Sequence, residues 1–230
     1  MLAFAVASSR CPAAISTPPP AESLSLVLGN MLYLRALYRY SRASVLGEGD
    51  KVKLEPLIQG RIDVTEPRNV GEAPFGRRLL FRMTGGSFEG MGPGKTVRGQ
   101  PLEGEIALGG GDWVVMTGLV SHLDIRIHLE TADGFAIYAQ ANGLLVATPA
   151  LMGRISNPDL ILDYDQLYFR TQLRFETGDR MDPHNPTKIA AANPYKWMNE
   201  VLAVGESKLG PAYPNHVAGR WVDFRWYALT

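Results

Sequence analysis

The fold is decided by the stretch His122–Glu130, HLDIRIHLE, in which polar and apolar side chains alternate without a break. Alternation with a period of two is typical of a β-strand with one apolar and one polar face. Residues 132–134 (ADG) then provide a tight turn in which glycine tolerates a positive φ, and Phe135–Asn142 alternates again. The sequence therefore predicts an antiparallel hairpin in the middle of the chain.

Similar runs of β-branched and aromatic residues lie on both sides of this hairpin and are separated by turn residues. Strand after strand with little helix excludes a parallel sheet, because parallel strands need crossover helices. A two-sheet sandwich or a closed barrel remains, and closure is favoured because it removes exposed strand edges. We predict an all-β protein: a closed antiparallel β-barrel of about eight strands, with short helices near Pro149–Arg154 and Pro194–Leu202. The other predicted strands are Leu54–Thr65, Arg77–Gly86, Pro101–Leu108, Asp112–Leu119, Tyr168–Thr177 and Arg220–Ala228.

Residues 1–50 differ in composition from the rest of the chain and are predicted to be a peripheral extension of a single barrel domain, residues 51–230. Up to Ala43 this segment has four arginines and a single acidic residue, Glu22. Its longest apolar stretch is interrupted by polar residues and is shorter than the roughly 20 residues of a membrane span. We expect a helix over about residues 21–42, with an organellar presequence or a start at Met31 as alternatives, and otherwise a cytoplasmic protein.

Charge and cysteine content exclude several classes of function. The chain has 23 basic and 23 acidic residues, so it has no overall positive field that would attract nucleic acid. Its one cysteine, Cys11, cannot form an internal disulfide. The apolar fraction of 46% is enough for a packed core. We therefore expect neither a nucleic-acid partner nor a disulfide-stabilised secreted fold.

Familiar cofactor and catalytic motifs are absent from the sequence. The segment GMGPGKT at residues 90–96 has the wrong spacing for a phosphate-binding loop, and a predicted strand follows it instead of a helix. His122 and His128 lie on one strand face but about 20 Å apart, so they cannot bind one metal ion together. Gly-x-Ser-x-Gly does not occur. We expect no cofactor and no metal.

The direction in which the polar strand faces point decides what the protein can do. In one alternative the apolar faces fill the barrel and the polar faces are solvated. In the other, the polar faces line a lumen that holds a small ligand. Solvated faces seldom combine tyrosine and tryptophan with charges, and this favours the lumen. We therefore expect Asp124, Arg126 and Arg170 to point inward.

Several short motifs, taken together and in order, resemble the family known as domain of unknown function 3237. The resemblance extends from about Leu54 to Gly205, and it implies a compact antiparallel β-barrel without a settled activity. In kind, that barrel is similar to allene oxide cyclases and dirigent-like proteins. The family pattern keeps residues equivalent to Asp124, Arg126, Arg170 and Glu176. The segments that carry the resemblance are LEPL (54–57), GRR (76–78), TGGSFEG (84–90), GGDW (110–113), LDIR (123–126), YFRT (168–171), RFET (174–177) and YKWMN (195–199).

Taken together, these observations predict a cofactor-free cyclase or isomerase that acts on a small reactive natural-product intermediate in the lumen. A pericyclic-type cyclase is one form of this prediction. One arginine would polarise a carbonyl or enolate oxygen, and an adjacent carboxylate would orient it or move a proton. The alternatives are a non-catalytic carrier of a small apolar ligand and a structural protein that forms homo-oligomers. The extra segments at 179–186 and 206–218 would cover the barrel mouth. The candidate catalytic residues are Asp124, Arg126, Arg170 and Tyr168, and the candidate substrate-binding residues are Phe88, Glu89, Trp113, His122, Tyr138, Asn142 and Trp197.

Overall fold

The computed structural model describes residues 51–157, 159–211 and 219–230, and these ranges are built mainly of strands. They contain one α-helix, α1 (Pro149–Ile155), and 3₁₀ helices at Pro93–Lys95 and Lys196–Glu200. The predicted helix at 21–42 lies outside the described residues. The strands are β1 (Leu54–Thr65), β2 (Arg68–Ala73), β3 (Gly76–Gly90), β4 (Thr96–Val97), β5 (Gln100–Pro101), β6 (Glu103–Ile106), β7 (Gly111–Thr117), β8 (Val120–Thr131), β9 (Ala136–Val146), β10 (Tyr168–Thr177), β11 (Arg180–Asp182), β12 (Asn185–Ala191), β13 (Ala203–Leu209) and β14 (Gly219–Leu229).

A closed antiparallel barrel with eight strand positions forms the body of the protein, so the predicted all-β barrel is confirmed. Around the barrel the order is β1, β14, β13, β10, β9, β8, then β6 and β7, then β3, which pairs back to β1. β6 and β7 share one position between β3 and β8 and occupy its two halves. β2 extends the sheet beyond β3, and the pairs β4–β5 and β11–β12 form small separate hairpins.

Two details of the predicted strand pattern need correction. The runs Pro101–Leu108 and Asp112–Leu119 were expected to be two barrel strands, but β6 and β7 fill a single position. The eighth position is taken by β13, whose inward side chains include the small residues Ala203, Gly205 and Ser207 and give no apolar signal. Part of the expected mouth-covering segment 206–218 is therefore a barrel strand, and residues 212–218 lie outside the described ranges.

The helical and hairpin segments agree with the expectation only in part. α1 matches the predicted helix at Pro149–Arg154, and the Thr148 hydroxyl caps it by accepting the Leu151 N–H. The second predicted helix is reduced to the 3₁₀ helix Lys196–Glu200. The segment at 179–186 lies in the β11–β12 hairpin. In the described part of the chain, no helix has the length and apolar character needed to cross a membrane.

The apolar faces of the strands form the barrel core. Phe224 and Trp226 of β14 stack with ring centroids 4.2 Å apart. Phe175 of β10 approaches Trp226 to 5.8 Å although β13 lies between their strands. Such large rings fit because glycines face them: a Cβ at Gly60 would lie 2.7 Å from the Phe224 ring, and one at Gly205 would lie 2.7 Å from the Trp226 ring. Small and large side chains thus alternate across the interior, as in other small barrels.

The predicted inward orientation of the polar faces is wrong. On β8 the side chains of Asp124 and Arg126 are 38% and 40% exposed, whereas Leu123 and Ile125 are 6% and 8% exposed. Arg170 on β10 is likewise 40% exposed. The barrel interior is apolar because burial of these aliphatic and aromatic faces drives closure, whereas unpaired charges would lose their hydration there.

Replacing Gly205 with Ala should destabilise the barrel, because the added methyl group would lie 2.6 Å from the Thr171 hydroxyl and 2.7 Å from Trp226. We expect the free energy of unfolding to fall by about 1–3 kcal/mol, a usual cost of overpacking. The matched control is Gly153→Ala in α1, where nothing lies within 4 Å of the added Cβ. That change should raise the stability by up to about 1 kcal/mol. Urea denaturation measures both, and equal effects of the two substitutions would contradict the packing argument.

Candidate functional site

An ion pair on the outer face of β8 is the centre of the candidate site. Nη1 of Arg126 donates to Oδ1 of Asp124 at 2.7 Å. Asn142 lies opposite Asp124 on β9, and its Nδ2 is 3.5 Å from the same oxygen. The hydrogen bond to Asp124 raises the pKa of Arg126, and the nearby Tyr138 hydroxyl acts in the same direction. The structure therefore brings together four of the predicted site residues: Asp124, Arg126, Tyr138 and Asn142.

Aromatic side chains on this outer face lie against arginines. The Arg126 guanidinium carbon is 5.5 Å from the Trp113 ring centroid, and that of Arg170 is 5.7 Å from the Tyr168 ring. Contacts of this kind are worth about 0.5–1 kcal/mol at exposed sites. These contacts explain why aromatic residues occur among the charges without a lumen.

A hollow of about 370 Å³ continues the site toward β10. It is next to the Asp124–Arg126 pair because Asn142, which lines it, contacts Asp124. Its walls include the exposed Tyr168 ring, Leu144 and the partly exposed Arg170, so it suits a small, mainly apolar ligand with one polar group. The hollow is lined by Asn142, Gly143, Leu144, Tyr168, Arg170, Thr171 and Gln172.

Arg170 also has structural partners. Its Nη1 donates to the carbonyl of Phe169 at 3.0 Å, and its Nη2 is 3.7 Å from Glu206 on β13. Glu206 is in turn 3.8 Å from Arg225 on β14. These contacts form a cross-strand charge ladder, in which each exposed pair adds little stability but opposite charges favour one strand register. Arg170 therefore has a structural role in the pairing of β10 with β13.

Asp112 on β7 belongs to the site and is not among the residues predicted from the sequence. Its Oδ1 accepts the backbone N–H of Asp124 at 3.1 Å. Its register partner on β8 is the inward-facing Ile125. The Asp112 side chain therefore leaves the strand on the inward face, and the residue is partly buried. Burial raises the pKa of Asp112 to about 7, the hydrogen bond from Asp124 opposes this, and the Asp124 carboxylate adds to it. A signal was present in the sequence: Asp112 shares its period-two face with apolar Val114 and Met116.

Three predicted site residues lie elsewhere, and a fourth is at the margin. Phe88 is 3% exposed and belongs to the barrel core. Glu89 contacts Gln59 and Lys95 on another part of the outer face. Trp197, on the 3₁₀ helix Lys196–Glu200, lies under Arg98 with the guanidinium carbon 4.7 Å from its ring. His122 is near Asp124 on β8, where its Nε2 is 3.1 Å from the Thr117 hydroxyl.

A larger hollow of about 730 Å³ opens on the outer face of β1, β3 and β6 and is mainly acidic. Lys95 bridges Glu89 at 3.1 Å and Glu103 at 2.9 Å. The hydrogen bond from Gln59, followed by that from Lys95, lowers the pKa of Glu89. The lysine in this hollow is therefore already paired with carboxylates. Within the described ranges, no group of three histidine, cysteine or acidic residues could hold a metal ion.

Comparison with known proteins places the chain in a family. The model of the family described as protein of unknown function (DUF3237) matches residues 52–218. The chain belongs to the DUF3237 family. The family match confirms the resemblance found in the sequence motifs. The matched range is longer than the range of those motifs.

Individual proteins are similar to this chain in sequence and in fold. A UPF0311 protein of Rhodopseudomonas palustris, RPA1785, is 27% identical over 152 residues, which are 65% of this chain and 82% of the relative. The crystal structure of RPA1785, a conserved protein of unknown function, aligns with a TM-score of 0.59 and 20% identity over 78% of this chain and 99% of that one. A β-barrel-like protein of Acinetobacter baumannii aligns with a TM-score of 0.53 and 26% identity, over 78% and 97% of the two chains.

The pKa of Asp112 predicts a pH-dependent stability. Its pKa is higher in the folded than in the unfolded protein, so the stability that Asp112 contributes is fully present below pH 4 and is lost as pH rises toward 7. Between pH 5 and pH 8 this loss should reach about 3 kcal/mol in the wild type. Asp112→Asn retains an acceptor for the Asp124 N–H and should abolish the loss.

Urea denaturation at the two pH values measures this effect. Asp165→Asn, a change at an exposed aspartate, is the control and should keep the wild-type pH dependence. Parallel pH curves for the wild type and Asp112→Asn would mean that the Asp112 carboxyl ionises normally in the folded protein.

Proposed function

We propose that this protein is a cofactor-free cyclase or isomerase that binds a small, reactive, oxygen-containing substrate on the outer face of β7–β10. The observation that carries the proposal is the Asp124–Arg126 ion pair beside the exposed Trp113 ring, with the Asp112 carboxyl directly behind it. This differs from the expected location in the lumen, because the interior is filled by apolar side chains.

The residues of the site would support different parts of such a reaction. Arg126 would donate to a carbonyl or enolate oxygen as negative charge develops, and Asp124 would hold the guanidinium in place. Asp124, on the outer face, could also accept and return the proton, whereas Asp112 lies on the inward side of β7 and would fix the Asp124 backbone by accepting its N–H. Trp113 and Tyr168 would hold a flat substrate by stacking, and Asn142 would donate a hydrogen bond.

A carrier of an apolar ligand has less support than it had from the sequence alone. Such a carrier needs interior space, but Phe175, Phe224 and Trp226 contact one another inside the barrel. A homo-oligomeric assembly, a cytoplasmic location and an organellar presequence in residues 1–50 stay predictions. The partner that we propose for the site is a small-molecule substrate.

Exchange of α-protons for deuterium tests the proposed acid–base chemistry without knowledge of the natural substrate. The purified full chain is mixed with an enolisable aromatic ketone, α-tetralone, in D₂O, and the loss of its α-proton signal is followed by NMR. We expect the wild-type protein to accelerate exchange over buffer. Arg126→Met should cut that acceleration by about 10²- to 10³-fold, the usual loss for one electrostatic donor.

One further variant separates the roles of the ion-paired residues, and a second serves as a control. Asp124→Asn should lower the rate less than Arg126→Met if Asp124 only orients the arginine, and equally if it carries the proton. Arg77→Met, an exposed arginine on the opposite face of β3, should leave the rate unchanged. An unaccelerated reaction with wild-type protein, or full activity in Arg126→Met, would argue against the proposal.

A further inference from the structure

A row of outward-facing positions crosses β3, β7 and β8 beside the proposed site. Arg82 on β3 is the register partner of Gly111 on β7, and Gly111 is the register partner of Arg126 on β8. Register partners on neighbouring strands present their side chains on the same face of the sheet. The two arginines therefore flank a position that has no side chain of its own.

The Trp113 indole covers that empty position. A Cβ at Gly111 would lie 3.4 Å from both Cη2 and Cζ3 of the indole, so the ring lies over the glycine. Trp113 is nevertheless 36% exposed, and the Arg126 guanidinium carbon lies 5.5 Å from its ring centroid. The partly exposed indole thus lies in a row between Arg82 on β3 and Arg126 on β8.

The two arginines differ in their partners. Arg126 is held by Asp124 at 2.7 Å. Arg82 is exposed, and within the described ranges its side chain forms no hydrogen bond or ion pair. A third arginine, Arg78, donates from Nη1 to the carbonyl of Trp113 at 3.2 Å and adds positive charge. An unmatched cation thus lies beside an exposed indole.

We propose that Arg82 and Trp113 select a substrate that carries a carboxylate on a flat aromatic ring. The carboxylate would accept two parallel hydrogen bonds from the planar guanidinium of Arg82, and the ring would stack on the indole. Arg126 would then face the reacting oxygen further along the same molecule. This inference rests on the proposed function for the reaction at the site, but the binding step can be tested by itself.

Binding of two probes with the same ring system, one anionic and one neutral, tests the inference. Calorimetry or NMR titration of the full chain compares 2-naphthoate with its neutral counterpart, 2-naphthamide. We expect the wild type to bind naphthoate at least about tenfold more tightly, which is the value of one modest charge-assisted interaction of about 1.4 kcal/mol. Arg82→Gln should remove the preference and leave naphthamide binding unchanged. Trp113→Leu should weaken both probes.

The matched control is Arg77→Gln, which removes the same charge from the other face of β3 and should keep the preference for naphthoate. Equal affinity of the wild type for the two probes, no binding of naphthoate at millimolar concentration, or loss of the preference in both arginine variants would overturn the inference. These outcomes are separate from the exchange assay: accelerated exchange without a preference for naphthoate would leave the proposed function standing and reject only the substrate class.

Discussion

The barrel depends on the fit between large aromatic rings and glycines inside it. Phe224 and Trp226 project from one strand into a narrow interior, and they can do so because Gly60 and Gly205 have no side chains on the strands next to them. Close packing of this kind leaves no place for ionised groups, whose burial would be costly. Most charged residues of the strands therefore point outward, and the chemistry they could perform lies on the outer surface.

Outside the barrel, the charged residues are organised by strand register. Neighbouring strands place Arg170 opposite Glu206 and Arg61 opposite Asp223, and aromatic rings cover several of the arginines. Most of these contacts are explained by strand pairing alone. Asp112 is the exception, because it starts on the apolar face and satisfies a backbone N–H of the next strand. This departure from the general pattern makes it the most informative residue of the candidate site.

The sequence predicted the strands well wherever aliphatic and polar residues alternate. The bounds of β1 and β10 agree with the expectation, and the family motifs were identified correctly. The orientation of the faces could not be predicted in the same way, because an alternating pattern is identical whether its polar side points in or out. β13 was missed since its inward residues are small. Trp113 and Asp124 could be proposed from sequence, but Arg82 joined them only through strand register.

The divided position shared by β6 and β7 separates charge along the barrel. β6 adjoins the acidic end of β3 and β8, near Glu89 and Glu130, whereas β7 adjoins the arginine-rich end near Arg82 and Arg126. A chain with zero net charge therefore has a local electric dipole along these strands. Such a field steers anions toward one end during diffusional encounter, and ionic strength above about 0.1 M screens it beyond roughly 10 Å. Electrical neutrality of the whole molecule thus coexists with directional attraction at its surface.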